Sequence, residues 1–363
     1  MKTVNKGLIL GVLLGLWSGV AAAQTIRIAN NNANAPTGDN VFSTLQAALD
    51  MAEVGDIIHV IGSPSSYGNV TVRKLLHIFG IGYNPDKDLP EHSLVGAITL
   101  TTGTGTDASG THIEGLVLSG NTHITQAISD ITIRKCFFSN VMIKEDNVGK
   151  SNIVITDNIF IPLNVNLSID LNWTGNDNII VRNNVFVYSA VQLHNALVAN
   201  NVFTTGAQAI GVFNSSNTIF ANNIFFRMQP VDTGSVAHCI YNNNLAIGSM
   251  DDTLPTVDAP MGTNTGQGNI NNAILSPTVI DPVNFFVNYP ELGDTNWDDS
   301  YDLELHLSNP GIGAGIDGSD LGIFGGEDPF NNVVNLPIIQ ILNTAASIKE
   351  GNDLPTTVGV QAN

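Results

Sequence analysis

Three cationic side chains, Arg134, Lys135 and Arg182, are the residues of this sequence whose types and spacing could support catalysis. The chain holds only five arginines, and Arg134 and Arg182 occupy the same place in a recurring phrase. A basic side chain can remove the proton next to a substrate carboxylate, and a neighbouring cation can stabilise the enolate-like intermediate. These residues therefore favour β-elimination on a sugar acid, if the protein is an enzyme.

The alternative is that the same residues are solvated surface side chains. When the repeat is extended backwards, Glu114 falls beside Arg134, and an exposed ion pair of this kind contributes less than about 1 kcal/mol. Glu114, Thr156 and Tyr241 occupy the same outward-facing position of the repeat as Arg134 and Arg182, so they are the predicted substrate contacts. The whole column is the set of residues just before each asparagine pair: Arg134, Thr156, Arg182, Ala199, Ala221 and Tyr241.

The column is defined by a nine-residue phrase that recurs six times between Asp130 and Leu245. Its copies begin at Asp130, Asn152, Asn178, Asn195, Asn217 and Ala237. A step of about twenty residues is too short for a helix pair and fits one turn of a coil of short strands. Apolar residues alternate within each copy, which is the period of a strand. The sequence therefore predicts an all-β coil.

An asparagine pair near the end of each phrase predicts the corner of each turn. Asparagine tolerates left-handed backbone angles better than other residues that carry a side chain. Stacked turns would place one asparagine about 4.8 Å above the next, so that each amide could donate to the next carbonyl. The predicted rungs of this ladder are Asn158, Asn184, Asn201, Asn223 and Asn243.

This pattern resembles the right-handed parallel β-helix proteins of the pectate-lyase-like superfamily, in particular the secreted bacterial β-helix repeat proteins. The resemblance runs from about Phe42 to Phe330 and implies a right-handed parallel β-helix of about ten coils. It also implies that the phrase from Ser308 to Gly326 is the closing coil. Fold alone does not fix activity, because one fold hosts many functions.

The motifs that carry catalysis in this superfamily are missing from the sequence. There is no Arg-x-Pro-x-x-Arg of pectate lyases and no Gly-His-Gly of polygalacturonases. The resemblance therefore implies a noncatalytic polysaccharide-recognition or surface module. A polysaccharide lyase acting on uronate-containing glycans is one alternative, and a structural surface protein or adhesin is another.

The first residues are typical of an export signal, which predicts a secreted or cell-surface protein. Lys2 and Lys6 precede an apolar run, and Ala23 ends a run of small residues suited to cleavage. Without residues 1–23, 11 basic residues face 32 acidic ones, a net charge of −21. Such a surface repels nucleic acid. We expect a monomer without a membrane span, whose partner is an extracellular polysaccharide or a surface protein.

Residues 24–330 are predicted to form one β-helix domain, and residues 331–363 a C-terminal capping tail with two strands. A helix from Phe42 to Ala52 is expected to cap the N-terminal end, with Ser43 and Gln46 at capping-box spacing. Cys136 and Cys239 would lie five coils apart, too far for a disulfide, so both should stay reduced.

An acidic stretch near the C-terminal end predicts the only cofactor considered, a calcium ion. Asp294, Asn296, Asp298 and Asp302 space oxygen ligands as a calcium loop does. However, Asp299 stands where such a loop has its glycine, and the distal glutamate is missing. An ordinary acidic loop in an acidic chain is the alternative, so no cofactor is certain.

One further column is apolar although the alternation places it outward. Its members are Thr132, Val154, Ile180, Leu197, Ile219 and Cys239. A contiguous exposed apolar strip is unusual on a soluble monomer and suggests a partner surface. The alternative is that the loop from Pro162 to Trp173, or the C-terminal tail, covers it. An error of one residue in the alternation would instead move the column into the core.

Overall fold

The computed structural model describes residues 24–33, 35–36, 38–83, 91–161, 167–204, 210–248, 253–271, 285–289, 298, 300–307, 309–334, 338–344 and 356–361. Over these residues the chain is a parallel β-solenoid of about nine turns, which confirms the predicted all-β coil. Three long parallel sheets, named A, B and C here, form its sides. Through most of the solenoid the chain passes from sheet A to sheet C to sheet B in each turn.

The strands are short and are numbered in chain order. Sheet A contains β1 Ile26–Ala29, β2 Val41–Phe42, β3 Ile57–Val60, β5 His77–Gly80, β8 His112–Glu114, β11 Ile131–Arg134, β14 Ser151–Thr156, β17 Asp177–Arg182, β20 Ala196–Ala199, β23 Ile219–Ala221, β26 Ile240–Asn242 and β28 Thr265–Gln267. Sheet B contains β4 Val70–Val72, β7 Ile98–Leu100, β10 Thr122–Ile124, β13 Ile143–Glu145, β16 Leu167–Leu171, β19 Ala190–Leu193, β22 Ile210–Val212 and β25 Gln229–Val231. Sheet C contains β6 Leu94–Val95, β9 Val117–Leu118, β12 Phe137–Ser139, β15 Ile159–Ile161, β18 Val185–Val187, β21 Val202–Thr204, β24 Ile224–Phe226, β27 Leu245–Ile247 and β29 Ile270–Asn271.

Two antiparallel pairs follow the solenoid in the chain. They are β30 Phe286–Asn288 with β31 Asp302–Leu305, and β32 Ile338–Thr344 with β33 Thr356–Gln361. The last pair gives the strands that the sequence predicts in the tail. The single helix of the described residues, α1 Leu45–Met51, packs against β1 to β4 near the N-terminal end. Thr44, and not Ser43, caps this helix, because its hydroxyl accepts the N–H of Ala47.

The corner between sheets A and C is made by two consecutive residues of each phrase, which are an asparagine pair in the turns from Asn183 onward. The first residue of the pair has a left-handed backbone, as at Asn183 and Asn222 with φ of 52° and 57°. The second residue points inward and is fully buried, as at Asn184 and Asn223. A side chain that tolerates positive φ is thus followed by one that can satisfy buried backbone groups.

The inward asparagines are joined along the solenoid by side-chain hydrogen bonds. In each step the Nδ2 of one residue donates to the Oδ1 of the next at 2.9–3.1 Å, in the order Asn158, Asn184, Asn201, Asn223, Asn244 and Asn269. The same Oδ1 also accepts a backbone N–H from the turn before it, as Asn201 does from Asn184. These bonds supply partners for polar groups that the interior hides from water.

Asn243 is not a rung of this series, so the predicted position was wrong by one residue. Asn243 takes the left-handed corner, and Asn244 points inward. Residues 242 to 244 are all asparagine, so the asparagine pair of the sixth phrase can be read as 242–243 or as 243–244. The first reading, used in the prediction, is one residue too early. Because side chains alternate along a strand, that slip exchanged inward and outward residues in β26.

Aromatic rings fill the interior beside the asparagines. Phe138, Phe160, Phe186, Phe203 and Phe225 stack in sequence with centroid distances of 4.4–5.0 Å. The in-register pairing of sheet C places these rings one above the other. Stacking of this kind adds to the free energy gained by burying the rings. Both cysteine thiols are free and buried, as expected.

The outer face of sheet C is covered by the C-terminal part of the chain. Phe285 and Phe286 pack against Phe226 of β24, and Leu321 and Ile323 belong to the same apolar cluster. The outward residues of sheet C are therefore buried along much of its length. This cover removes one face of the solenoid from solvent.

Residues 311–334, named the C-terminal strap here, run along the corner between sheets A and C. Later residues of the strap contact corner residues of earlier turns, so the strap returns toward the N-terminal end of the solenoid. The hydrogen bonds are Asn243 to Ala314, Ile316 to Asn222, Asn183 to Ile323, Asn331 to Asp157 and Lys135 to Val333. The described residues of the predicted closing coil, 309–326, contain no strand, so that prediction was wrong.

Candidate functional site

The outer face of sheet A carries two columns of outward side chains, because strand pairing is in register along the sheet. The first, named the aliphatic column, contains Val154, Ile180, Leu197, Ile219 and Ile240. The second, named the mixed column, contains Phe79, Glu114, Arg134, Thr156, Arg182, Ala199, Ala221 and Asn242. Neighbouring members of a column are one strand spacing apart, about 4.8 Å.

The aliphatic column is open to solvent at its C-terminal end. Leu197, Ile219 and Ile240 are 39%, 41% and 41% exposed. Among the described residues, the C-terminal part of the chain packs on sheet C and along the corner, and not on this column. Residues 162–166 of the loop that could have covered the column lie outside the described residues. Neighbouring aliphatic side chains of this exposure form a surface that contact with a ligand would bury.

Cys239 does not belong to the aliphatic column, contrary to prediction. The corrected alignment of β26 puts Ile240 in its place, and Cys239 is buried. The same correction moves Tyr241, a predicted substrate contact, into the interior. Its ring is fully buried and stacks on Phe220 at a centroid distance of 4.7 Å. Tyr241 therefore cannot contact a ligand on the outer face.

The predicted cations Arg134 and Lys135 are held by one buried carboxylate. Arg134 Nε donates a 2.7 Å hydrogen bond to Glu114 Oε2, and Lys135 Nζ lies 3.5 Å from Glu114 Oε1. His112 Nε2 lies 3.0 Å from Glu114 Oε2. Burial raises the pKa of Glu114, but the hydrogen bonds from His112 and Arg134 and the charges of Arg134 and Lys135 outweigh it. The net result is a pKa below the ordinary value, so Glu114 stays ionised.

Lys135 is also drawn away from the outer face. It occupies a left-handed corner, is buried, and donates a 2.6 Å hydrogen bond to the backbone carbonyl of Val333 in the strap. Glu114 and Thr156, the other predicted substrate contacts, are buried as well. The hydroxyl of Thr156 donates to the neighbouring Asp157 at 3.3 Å. These three side chains therefore contribute to packing at the strap and not to an open surface.

Arg182 keeps an exposed side chain but has an acidic partner. Its Nη2 atom lies 2.8 Å from Asp328 Oδ2 of the strap. Thr156 lies between Arg134 and Arg182 in the register, so the backbones of the two arginines are two strand spacings apart, about 10 Å. The predicted cationic patch is thus divided into ion pairs, and each cation is compensated by a carboxylate.

The N-terminal end of the same face carries a cluster of rings that the sequence analysis did not identify. His59 and Phe79 have centroids 6.3 Å apart, and Phe79 and His112 have centroids 5.4 Å apart. His77 lies 6.4 Å from His112. Burial lowers the pKa of His59 and of His77, and the charge of His112 lowers the pKa of His77 further. The signal for these rings in the sequence is the alternation of inward and outward residues in β3 and β5, which places His59, His77 and Phe79 outward.

The calcium prediction falls largely outside the described residues, because Asp294, Asn296 and Asp299 are not among them. Asp298 and Asp302 are described, and their carboxylates accept backbone N–H groups of Ser300 and Glu304. Within the described ranges, no group of three or more His, Cys, Asp or Glu side chains is arranged to hold a metal ion.

Comparison with known proteins gives no family for this chain, because no protein-family model and no curated protein matches it significantly. The parallel β-solenoid of about nine turns is consistent with a β-helix repeat protein. No helix among the described residues is long and apolar enough to cross a membrane.

Proposed function

We propose that this protein is a noncatalytic module, exported after removal of residues 1–23, that binds an extended polysaccharide along the outer face of sheet A. The supporting observation is the open aliphatic column, whose residues Leu197, Ile219 and Ile240 are about two-fifths exposed. A straight column with a repeat of about 4.8 Å suits a ligand that is itself a chain.

The other two sheets are less suited to this role. Sheet C is covered by the C-terminal part of the chain. The outward residues of sheet B are mainly polar, as in the register Thr71, Thr99, His123, Lys144, Asp170 and Gln192. Among the described strands, those of sheet A combine accessible apolar surface with hydrogen-bonding groups, which is the combination that binding sites use.

The electrostatics of the face favour binding over β-elimination. A base must be free to take a proton from the substrate, and a cation must be free to meet the charge that develops. Arg134 is bonded to Glu114, Lys135 is buried against the strap, and Arg182 is paired with Asp328. The polysaccharide assignment itself is supported by the resemblance to β-helix proteins and by the rings at His59, Phe79 and His112.

The same aliphatic column also supports a second function, docking of a protein, as expected of an adhesin. Neighbouring side chains such as Leu197 and Ile219 would be typical anchors of a protein interface. Self-association or capture by a surface protein that is abolished by Ile219→Lys, together with no glycan binding, would favour this second function.

The experiment is a polysaccharide array probed with the mature protein, with product release followed by the absorbance of the new double bond on uronate polymers. We expect binding without product release. Ile219→Lys, on sheet A, should weaken binding, and Gln192→Lys, the matched change on sheet B, should not. Product release lost in Arg182→Ala, or equal effects of the two lysine variants, would contradict the proposal.

A further inference from the structure

A groove of about 430 Å³ lies at the C-terminal end of the outer face of sheet A. Its floor is formed by Ile240 and Asn242 of β26 and by Thr265 and Gln267 of β28. Its wall is formed by residues 253–260, which contribute Thr256, Val257 and Pro260 to the lining. The groove is therefore the end of the aliphatic and mixed columns, closed on one side. Its volume is within the range of pockets for small molecules, about 300–1,000 Å³.

The wall of the groove is fixed by hydrogen bonds to the last turn of the solenoid. The backbone N–H and C=O of Leu254 are bonded to the side-chain amide of Asn271 at 2.8 and 2.9 Å. Asn269 Nδ2 donates to the carbonyl of Pro255 at 2.7 Å. A Cβ atom on Gly266 would collide with this carbonyl, so glycine permits the close approach. The groove is thus formed before any ligand arrives.

The chemistry of the lining combines apolar surface with side-chain amides. Ile240 is 41% and Val257 is 74% exposed, and Pro260 adds a third apolar surface. Asn242 and Gln267 are paired in register, so their amides lie side by side. Neither amide has a hydrogen-bond partner among the residues that the structure describes. No residue of the lining is ionisable.

We infer that this groove binds one sugar residue of an uncharged glycan. This inference rests on the proposed function and specifies the ligand. The C–H face of a sugar ring would contact Ile240 and Val257, and its hydroxyl groups would meet Asn242 and Gln267. Each amide offers both donor and acceptor groups, as hydroxyl groups require. A uronate carboxylate would find no cation here, in a chain whose net charge is −19.

A peptide fits the groove less well than a sugar. Peptides that bind sheets add a strand at an edge, where backbone N–H and C=O groups are free. The floor of this groove is the outer face of β26 and β28 and not the edge of the sheet, so a ligand lying in it meets their side chains. Without backbone partners, a bound peptide would leave its own polar groups unsatisfied.

The test measures calorimetric affinities for oligosaccharides of equal length: cello-, xylo-, manno- and galacturono-oligosaccharides. We expect at least one neutral series to bind more tightly than the galacturonate series, with an affinity insensitive to salt because the lining is uncharged. The double variant Asn242→Ala/Gln267→Ala should weaken that binding about tenfold or more. Gln192→Ala on sheet B is the matched control and should have no effect. Circular dichroism would establish that the variants fold.

The outcomes separate this inference from the proposed function. If Ile219→Lys weakens glycan binding and the double variant does not, the groove assignment is wrong and the binding face stands. If the galacturonate series binds most tightly, the ligand class is wrong. If no glycan binds and only peptides do, both proposals are wrong.

Discussion

The backbone N–H of Asn331 donates a 3.2 Å hydrogen bond to the carboxylate of Asp157, joining residues 174 positions apart. Asp157 stands at the left-handed corner where later turns have Asn183, Asn200 and Asn222. Burial raises the pKa of Asp157 to about 6, although the bond from Asn331 opposes the shift. The strap is therefore anchored by an acid at a corner where a neutral amide would fit.

Asp157→Asn should stabilise the protein at pH 8. The folded pKa, about 6, lies above the unfolded value, about 3.9, so protonation favours the folded state. The contribution of Asp157 is fully present below pH 4 and is lost as the pH rises through 6. Replacing the partly buried charge should raise the free energy of unfolding by about 1–3 kcal/mol at pH 8 and by little at pH 4. Urea unfolding at both pH values measures this.

Asp130→Asn is the control for that experiment, since Asp130 is an exposed acid at another left-handed corner. Its effect should stay within about 0.5 kcal/mol at both pH values. A loss of stability in Asp157→Asn at pH 8, or an equal gain at both pH values, would show that the Asp157 charge is not unfavourable.

Asn183→Gly should loosen the strap and leave the solenoid intact. Asn183 Nδ2 donates a 2.9 Å hydrogen bond to the carbonyl of Ile323, and glycine keeps the left-handed backbone while removing that bond. Amide hydrogen exchange in residues 320–334 should become faster, and exchange in β17 and β20 should change little. Asn178→Gly, at a left-handed corner away from the strap, is the matched control. Equal exchange in both variants would mean that this bond does not hold the strap.

Asn201→Ala should destabilise the solenoid strongly. Asn201 donates to Val181, Ala199 and Asn223 and accepts two hydrogen bonds from Asn184. Leaving buried partners unsatisfied costs about 1–3 kcal/mol for each group, so a loss of at least about 3 kcal/mol is expected. Urea unfolding followed by both fluorescence and circular dichroism measures the loss.

Gln192→Ala, on the outer face of sheet B, is the comparison for Asn201→Ala and should cost less than about 1 kcal/mol. A change of similar size in the two variants would show that the inward asparagine series contributes little to stability.

The repeat predicted the fold well because it reports short-range chemistry. Left-handed corners and alternating apolar residues recur in every turn, and each is visible in a nine-residue phrase. The strap could not be predicted in this way, because Asn331 and Asp157 are far apart in sequence and their contact has no periodic signal. The phrase from Ser308 to Gly326 has glycines typical of turns. Its described residues run along the corner between sheets A and C and do not form a further turn of the solenoid.

The candidate site was predicted only in part. The outward column placed Arg134 and Arg182 correctly on one face, since their alternation is unambiguous. The ion pair of Glu114 with Arg134 was predicted as an alternative and is present, but Glu114 is buried and not exposed. The pairing of Arg182 with Asp328 could not be predicted, because it depends on the strap. Tyr241 was misplaced because a slip of one residue reverses every face of a strand.

Hydroxyl-radical footprinting of the mature protein, with and without its best-binding polysaccharide, tests most directly whether the outer face of sheet A is the binding face. Binding along sheet A should protect Leu197, Ile219 and Ile240 and leave the reactivity of His123 on sheet B unchanged. Protection of sheet B, with the aliphatic column as reactive as in the free protein, would contradict the assignment of sheet A as the binding face.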